Sequence, residues 1–244
     1  MKFKKDESIE KLRGGYYTPL FLAEYMVDWI LNGNPSSILE PSCGDGIFFH
    51  AILSHLDRNQ SSNIRSITGV ELFESELEKV QELSKDFDEF NIIQNLVNED
   101  FFTWINQDNN EWWDAIIGNP PYIRYQYFED YQRNEAERLF RLANVPFSKR
   151  TNAWVPFVIA SIMHLNPGGR LALVLPKELF HIIHAQGLRL LLEQEMSQIF
   201  IVDIKELIFD ALQGVVVLFA EKRSDRRFQP LVDDDGNNED SASI

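Results

Sequence analysis

Apolar runs of strand length alternate with amphipathic runs of helix length along most of this chain. The pattern predicts, in order, helix Leu20–Leu31, strand Ser37–Pro41, helix Ile47–Leu56, strand Ile64–Glu71, helix Glu74–Lys85, strands Ile92–Val97 and Ala115–Gly118, helix Ala153–Leu165, strand Arg170–Leu175, helix Ala185–Glu195, and strands Gln198–Ile204 and Val215–Ala220. Strands separated by helices favour a parallel sheet covered on both faces. Because the last two strands have no helix between them, we predict an α/β, doubly wound, mostly parallel seven-stranded sheet with an antiparallel last strand.

One segment of the chain, Asn119-Pro120-Pro121-Tyr122, follows an apolar strand-like run. The prolines fix φ and remove two backbone donors. The side-chain oxygen of Asn119 and the carbonyl of Pro120 can then face one point, with the ring of Tyr122 available for stacking. That arrangement suits a flat substrate that carries an amino group. Taken alone, the segment is equally consistent with a surface turn that ends in a proline pair.

Polar residues also follow three other predicted strands. Gly44 and Gly46 allow positive φ and close approach of a ligand, and the acidic residue between them favours a ligand with an amino group and a cation, such as S-adenosylmethionine. Glu71, at the end of the second strand, can bind ribose hydroxyls. Asp100 can accept a hydrogen bond from an adenine amino group, and Phe101 can stack on the ring. Each acidic strand end alone is usually a solvated cap, but the four segments in this order are a strong signal.

Together these segments resemble the gamma class of DNA adenine-N6 methyltransferases, which share the Rossmann-like class I S-adenosylmethionine-dependent methyltransferase fold. In that class a further cofactor motif precedes the Gly-rich turn, and Arg13-Gly-Gly-Tyr-Tyr-Thr-Pro19 stands in that place. The resemblance covers about Gly14 to Lys222. It implies cofactor contacts from Tyr17, Thr18, Glu40, Ser42, Gly44, Asp45, Glu71, Leu72, Asp100, Phe101 and Asn119.

The same resemblance implies a catalytic motif of Asn119, Pro120 and Tyr122. A second aromatic usually precedes the last strand and holds the flipped base from its other side, and Phe209 is the candidate for it; a simple core phenylalanine is equally consistent with that position. Thr151-Asn152-Ala153 matches a less defined motif that lines the substrate pocket.

The activity implied by the resemblance is site-specific methyl transfer to N6 of a flipped-out adenine in DNA, in a restriction–modification or phage-defence system. One alternative keeps the fold and makes the chain a protein-glutamine (release factor) or RNA N-methyltransferase. Another is a catalytically silent subunit that scaffolds a partner. The segment before Pro19 and the aromatic-rich connection Tyr122–Arg150 favour a nucleic-acid enzyme, and the intact motif at Asn119 argues against a silent subunit.

The net charge of −15 is unusual for a protein that binds DNA, because phosphate contacts supply most of the affinity. Basic residues in the connection (Arg133, Arg138, Arg141, Lys149, Arg150) are more typical of a mixed-charge helix face than of a DNA groove. We therefore expect a catalytic domain over residues 1–228, a disordered acidic tail over residues 229–244, and weak DNA binding by this chain alone. We expect the DNA to be read by a target-recognition domain outside this sequence or by a specificity subunit.

The remaining composition narrows the class of protein. The single cysteine, Cys43, fits a reducing cytoplasm, and direct methyl transfer gives it no role as a nucleophile. The five histidines show no metal-ligand spacing. No apolar run approaches the length of a membrane span, and the amino end lacks the apolar core of a signal peptide.

Overall fold

The computed structural model describes residues 18–58, 62–107, 111–148, 152–177, 186–204 and 214–230. Its helices are α1 (Leu20–Leu31), α2 (Ile47–Arg58), α3 (Glu74–Asp88), α4 (Phe101–Ile105), α5 (Asp130–Leu142), α6 (Trp154–Met163) and α7 (Gln186–Glu195), with a 3-10 turn at Tyr125–Tyr127. Its strands are β1 (Ser37–Glu40), β2 (Ser66–Glu71), β3 (Ile93–Asn98), β4 (Trp113–Gly118), β5 (Leu165–Pro176), β6 (Met196–Asp203) and β7 (Val215–Lys222).

The strands form one sheet of seven strands in the order β3-β2-β1-β4-β5-β7-β6. Strands β1 to β5 are parallel, whereas β7 runs antiparallel to both β5 and β6. The predicted fold class, including the antiparallel last strand, is confirmed. Strand order runs in opposite directions from β1 and from β4, and in open α/β sheets ligands bind at the carboxyl ends of strands at such a switch point.

The sheet separates two hydrophobic clusters, one on each face. Helices α1 and α2 pack on one face through side chains such as Met26 and Phe49, while α6 covers the other and is buried along its whole length. Strands β4 and β5 are almost entirely apolar because both of their faces are covered. None of the described helices is long and apolar enough to cross a membrane.

The structure differs from the predicted pattern in three main places. The stretch between β3 and β4, to which the pattern assigns no helix, contains α4, whose five residues are too few to show a helical period. Strand β5 starts at Leu165 instead of Arg170, because β4 pairs with it on both sides of the Asn-Pro-Gly-Gly segment: Trp113 pairs with Leu165 and Ala115 with Arg170. The segment between these pairs forms an irregularity in which Gly168 has a φ of 75°. The connection after Tyr122 contains the 3-10 turn and the thirteen-residue helix α5.

Candidate active site

A cavity of about 630 Å³ lies at the carboxyl edge of the sheet, beside the switch point between β1 and β4. That volume is typical of a small-molecule site. Ten of the predicted site residues line it: Thr18, Glu40, Ser42, Gly44, Asp45, Glu71, Leu72, Asp100, Phe101 and Asn119. The structure therefore brings together residues that lie up to a hundred positions apart in the sequence.

The Gly-rich turn after β1 is held against the end of β2. The Gly44 N–H donates to Glu71 Oε2 over 2.9 Å, and the Phe73 N–H donates to Glu71 Oε1 over 3.0 Å. Gly44 and Gly46 have φ values of 51° and 85°, a region that favours glycine. A Cβ added to Gly44 would have no heavy-atom neighbour within 4 Å among the described residues, so this turn leaves open space for a ligand.

Acidic side chains dominate the cavity, whose described lining also includes one lysine, Lys79. Glu40 is 2% exposed, and its Oε2 has no hydrogen-bond partner within the described part of the chain. Burial, together with the charges of Asp45 and Glu71, raises the pKa of the Glu40 carboxyl well above its usual range. Burial also raises the pKa of Asp45 and of Glu71. Buried like charges call for a cationic partner, so these residues fit the amino group of S-adenosylmethionine.

The catalytic motif is fixed to the cofactor side of the cavity by two hydrogen bonds. Asn119 Nδ2 donates to the hydroxyl oxygen of Thr18 over 3.2 Å, and the Ser42 hydroxyl donates to the Asn119 carbonyl over 3.3 Å. The first contact assigns the amide nitrogen to the Thr18 side and makes Oδ1 the acceptor end of the side chain. The second ties the loop after β1 to the loop after β4.

The other two members of the motif lie differently from Asn119. Pro120 is buried, and neither it nor Tyr122 is among the described residues that line the cavity. The Tyr122 hydroxyl donates to the Val174 carbonyl of β5 over 3.1 Å, and its half-buried ring packs against both core clusters. The structure therefore brings Asn119, but not Tyr122, together with the predicted cofactor residues, and base stacking by Tyr122 stays a prediction.

The described part of the predicted substrate-pocket motif, Asn152 and Ala153, lies next to the segment that follows the catalytic motif. Ala153 lines the cavity, and its N–H donates to the Ile123 carbonyl over 2.7 Å. The backbone of Asn152 forms an isolated antiparallel bridge with that of Arg124. The Oδ1 of Asn152 is buried and has no hydrogen-bond partner among the described residues. Tyr17, Thr151 and Phe209 lie outside the described residues.

The connection after the catalytic motif supplies cavity residues that sequence reasoning missed: Tyr127, Phe128, Glu129, Tyr131 and Gln132. The density of aromatic residues in this connection was the one signal that could have located them. Phe157 of α6 was missed as well. It stacks on Phe101 with ring centroids 4.8 Å apart, and Phe101 is only 4% exposed, so most of its ring already packs within the protein.

Two interpretations that argued against special roles agree with the structure. Cys43 is buried, and burial raises the pKa of its thiol, which disfavours a reactive thiolate. On α5, Arg133 pairs with Asp130 at 2.9 Å and Arg138 donates to the Asn106 carbonyl over 2.8 Å, as expected for a mixed-charge helix face. Lys149, Arg150 and residues 231–244 of the predicted tail lie outside the described residues.

Comparison with known proteins identifies the class to which this fold and site belong. Residues 3–241 match the N-6 DNA Methylase family, and the chain belongs to that family. This membership confirms the resemblance drawn from the motifs.

Individual relatives agree with the family. The chain is 28% identical to the type II methyltransferase M.AccI of Acinetobacter calcoaceticus over 85% of its own length and 37% of that protein. It is 26% identical to the type II methyltransferase M.HincII of Haemophilus influenzae, over 88% of its own length and 38% of that protein. It therefore spans less than half of these relatives. The fold matches a class I S-adenosylmethionine-dependent methyltransferase structure from Listeria monocytogenes with a TM-score of 0.67 and 18% identity, over 87% of this chain and 62% of that one.

Proposed function

We propose that this chain is the catalytic part of a site-specific DNA methyltransferase that transfers a methyl group from S-adenosylmethionine to N6 of adenine. The observation that carries the proposal is the acidic cavity, which is lined both by Glu40, with a buried carboxylate oxygen that has no partner among the described residues, and by Asn119 of the catalytic motif. Family membership and the type II methyltransferase relatives support the substrate class.

The cofactor residues have separable roles. Glu40 and Asp45 attract the amino group of the cofactor, while Glu71 uses the lone pairs left by its two backbone donors for ribose hydroxyls. Asp100 accepts a hydrogen bond from the adenine amino group. When bound, S-adenosylmethionine supplies an electrophilic methyl group on sulfur.

Asn119 acts on the substrate nitrogen. The N6 lone pair of adenine is delocalised into the ring, so this nitrogen is a poor nucleophile. Asn119 Oδ1 accepts one N6 hydrogen and stabilises the positive charge that develops on nitrogen as the bond to carbon forms. The motif assigns the second hydrogen to the Pro120 carbonyl, although Pro120 is not among the described residues that line the cavity. Because Asn119 is neutral, it orients the amino group without removing its proton, which leaves after the methyl group has moved.

Recognition of the DNA sequence is assigned to a domain or subunit outside this chain. The net charge of −15 disfavours phosphate binding by this chain, and on α5 Arg133 is already in an ion pair while Arg138 already donates to a backbone carbonyl. Relatives that are more than twice as long as this chain have room for such a domain. A release-factor or RNA substrate is the alternative, and membership of the N-6 DNA Methylase family favours DNA over it.

The test is transfer of labelled methyl to DNA that lacks adenine methylation, followed by identification of the digested nucleosides. We expect N6-methyladenine when the recognition domain or subunit is supplied. Label in a release factor or in RNA, and none in DNA, would overturn the proposal.

Asn119→Ala should lower transfer by about 10³-fold, because one acceptor at the developing charge is lost. The dissociation constant for S-adenosylhomocysteine, measured by calorimetry, should change only a few-fold. Asn134→Ala, at an exposed asparagine of α5, is the matched control and should retain full transfer. An equal loss of transfer and of cofactor affinity in Asn119→Ala would show that the residue serves the fold and not the reaction.

A further inference from the structure

We infer that Gln132 is a positioning residue for cofactor recognition: it holds the Asp100 carboxylate in the orientation that selects the adenine amino group. This inference rests on the proposed function, since it takes S-adenosylmethionine as the ligand of the cavity. Gln132 lies on the connection after the catalytic motif, 32 residues from Asp100, and both residues line the cavity.

The geometry around Asp100 is specific. Gln132 Nε2 donates to Asp100 Oδ2 over 2.7 Å, while the Thr103 N–H and hydroxyl donate to Oδ1 over 3.0 and 3.3 Å. A carboxylate has about four lone-pair directions, two on each oxygen. Three are occupied by these donors, so one direction remains, on the oxygen that Gln132 holds. At 8% exposure, Asp100 has little contact with water that could take that direction.

Gln132 is itself fixed from its other end. It stands at the third position of α5, and its Oε1 accepts the Glu129 N–H over 3.0 Å in a capping box. With Oε1 occupied by a backbone donor, the amide group must present Nε2 to Asp100. The capping box therefore sets which end of the amide faces the cofactor pocket.

A purely structural role for Gln132 would be to dock α5 on α4. The chain contains a second contact of that kind, which provides a matched comparison. Asn106, at the end of α4, donates to Glu135 Oε2 of α5 over 2.8 Å. Neither Asn106 nor Glu135 is among the described residues that line the cavity. The two amide–carboxylate contacts join the same two helices, but only one of them faces the ligand.

The experiment compares two ligands that differ in one group. S-adenosylhomocysteine carries the adenine amino group, and S-inosylhomocysteine has an oxo group in its place. The ratio of their dissociation constants reports the contribution of the amino group. A hydrogen bond to a carboxylate corresponds to roughly 10- to 150-fold in affinity, so the full chain should prefer the adenine ligand by about that factor.

Gln132→Glu keeps an acceptor for the Glu129 N–H and places a negative charge where the donor to Asp100 was. We expect the preference to fall by tenfold or more, and the melting temperature to fall as well, because a second carboxylate then faces that of Asp100. Gln132→Met, which removes the donor without adding charge, should lower the preference in the same direction. Asn106→Asp, the equivalent change at the other contact, should leave the preference unchanged.

The outcomes separate the possible explanations. A lower preference in both Gln132 variants, but not in Asn106→Asp, supports the inference. Equal weakening of both ligands, or an unchanged ratio in both Gln132 variants, overturns it and leaves only a packing role. Failure of the parent chain to bind either ligand would instead refute the proposed function, and the inference with it.

Discussion

Of the charged side chains that the structure describes, two are almost completely buried, and they lie at opposite edges of the sheet. Glu40 ends β1 at the carboxyl edge and is 2% exposed, whereas Lys222 ends the antiparallel strand β7 at the other edge and is 1% exposed. Burial disfavours the charged form of each, so it raises the pKa of Glu40 and lowers the pKa of Lys222.

The surroundings of the two charges differ. Lys222 Nζ donates to the Ile162 carbonyl over 2.7 Å and lies 5.4 Å from the centre of the Trp112 ring, with Glu195 nearby as a charge of opposite sign. Glu40 has only acidic charges as electrostatic neighbours and an oxygen without a partner among the described residues. A buried charge with a partner of opposite sign is structural, while a buried charge that faces a cavity and has only charges of its own sign around it indicates a cationic ligand.

The largest expected effect comes from Glu40→Gln, which keeps the size of the side chain and removes its charge. We expect the affinity for S-adenosylhomocysteine to fall about hundredfold, because the cofactor amino group loses a buried partner. The unliganded protein should become more stable by roughly 1–3 kcal/mol at pH 7, because a desolvated charge with acidic neighbours is gone. Calorimetry and chemical denaturation measure the two quantities.

The pH dependence of stability gives a second measure of the same change. Because the folded pKa of Glu40 lies above the unfolded one, its contribution to stability is fully present below pH 4.5 and is lost as pH rises toward the folded pKa. Glu40→Gln should flatten that decline in the unliganded protein.

Glu195→Gln is the matched control. Glu195 is also buried, and its Oε2 also has no hydrogen-bond partner among the described residues, but its Oε1 lies 3.7 Å from Arg226 Nη2 and it does not line the cavity that contains Glu40. Glu195→Gln should leave cofactor affinity unchanged. An unchanged affinity of Glu40→Gln for S-adenosylhomocysteine would show that Glu40 does not bind the cofactor and that its burial, like that of Lys222, is structural.

Smaller effects on stability and on cofactor affinity are expected from alanine substitutions at two glycines of the loop after β1, Gly44 and Gly46. Gly44→Ala points a methyl group into open space, so its cost is mainly that of a positive φ, about 1 kcal/mol. A methyl group on Gly46 would lie 3.1 Å from a Val80 methyl, so Gly46→Ala should cost more, about 2 kcal/mol. We expect cofactor affinity to fall about tenfold in Gly44→Ala, because its methyl group occupies space near the ligand.

Denaturation and ligand titration of both variants provide the measurement. The reverse result, with affinity lost only in Gly46→Ala, would mean that the open space at Gly44 is not where the ligand lies.

The carboxyl edge of the sheet could be predicted from the sequence because its polar residues follow directly after strands. Glu40, Glu71, Asp100 and Asn119 each end or follow a run of apolar residues, and parallel strands bring those ends to one edge. Local pattern and topology were therefore sufficient to place them in one cavity.

The contribution of the connection could not be predicted in this way. Gln132 reaches Asp100 only because α5 docks on α4, and a contact across 32 residues leaves no trace in local periodicity. The position of Tyr122 was not predictable either, because its hydroxyl is held by a carbonyl of β5, 52 residues further along the chain. The burial of Lys222 could not be predicted either, because in the sequence a buried lysine at the end of an apolar strand looks the same as a solvated lysine at that position.

The smallest expected effect concerns Lys222→Met, and it completes the comparison from the structural side. Burial lowers the pKa of Lys222 from 10.5 to about 8, so between these values the unfolded chain binds more protons than the folded one. Stability attributable to this residue therefore rises with pH, by about 1 kcal/mol between pH 8 and pH 9. Lys222→Met should remove that rise and leave the affinity for S-adenosylhomocysteine unchanged.

Denaturation of the parent and the variant at both pH values isolates the contribution of Lys222 to stability, since the contributions of groups common to both proteins cancel in the difference. An identical pH dependence would show that Lys222 titrates like a solvated lysine, and a changed cofactor affinity would show that the two edges of the sheet are coupled.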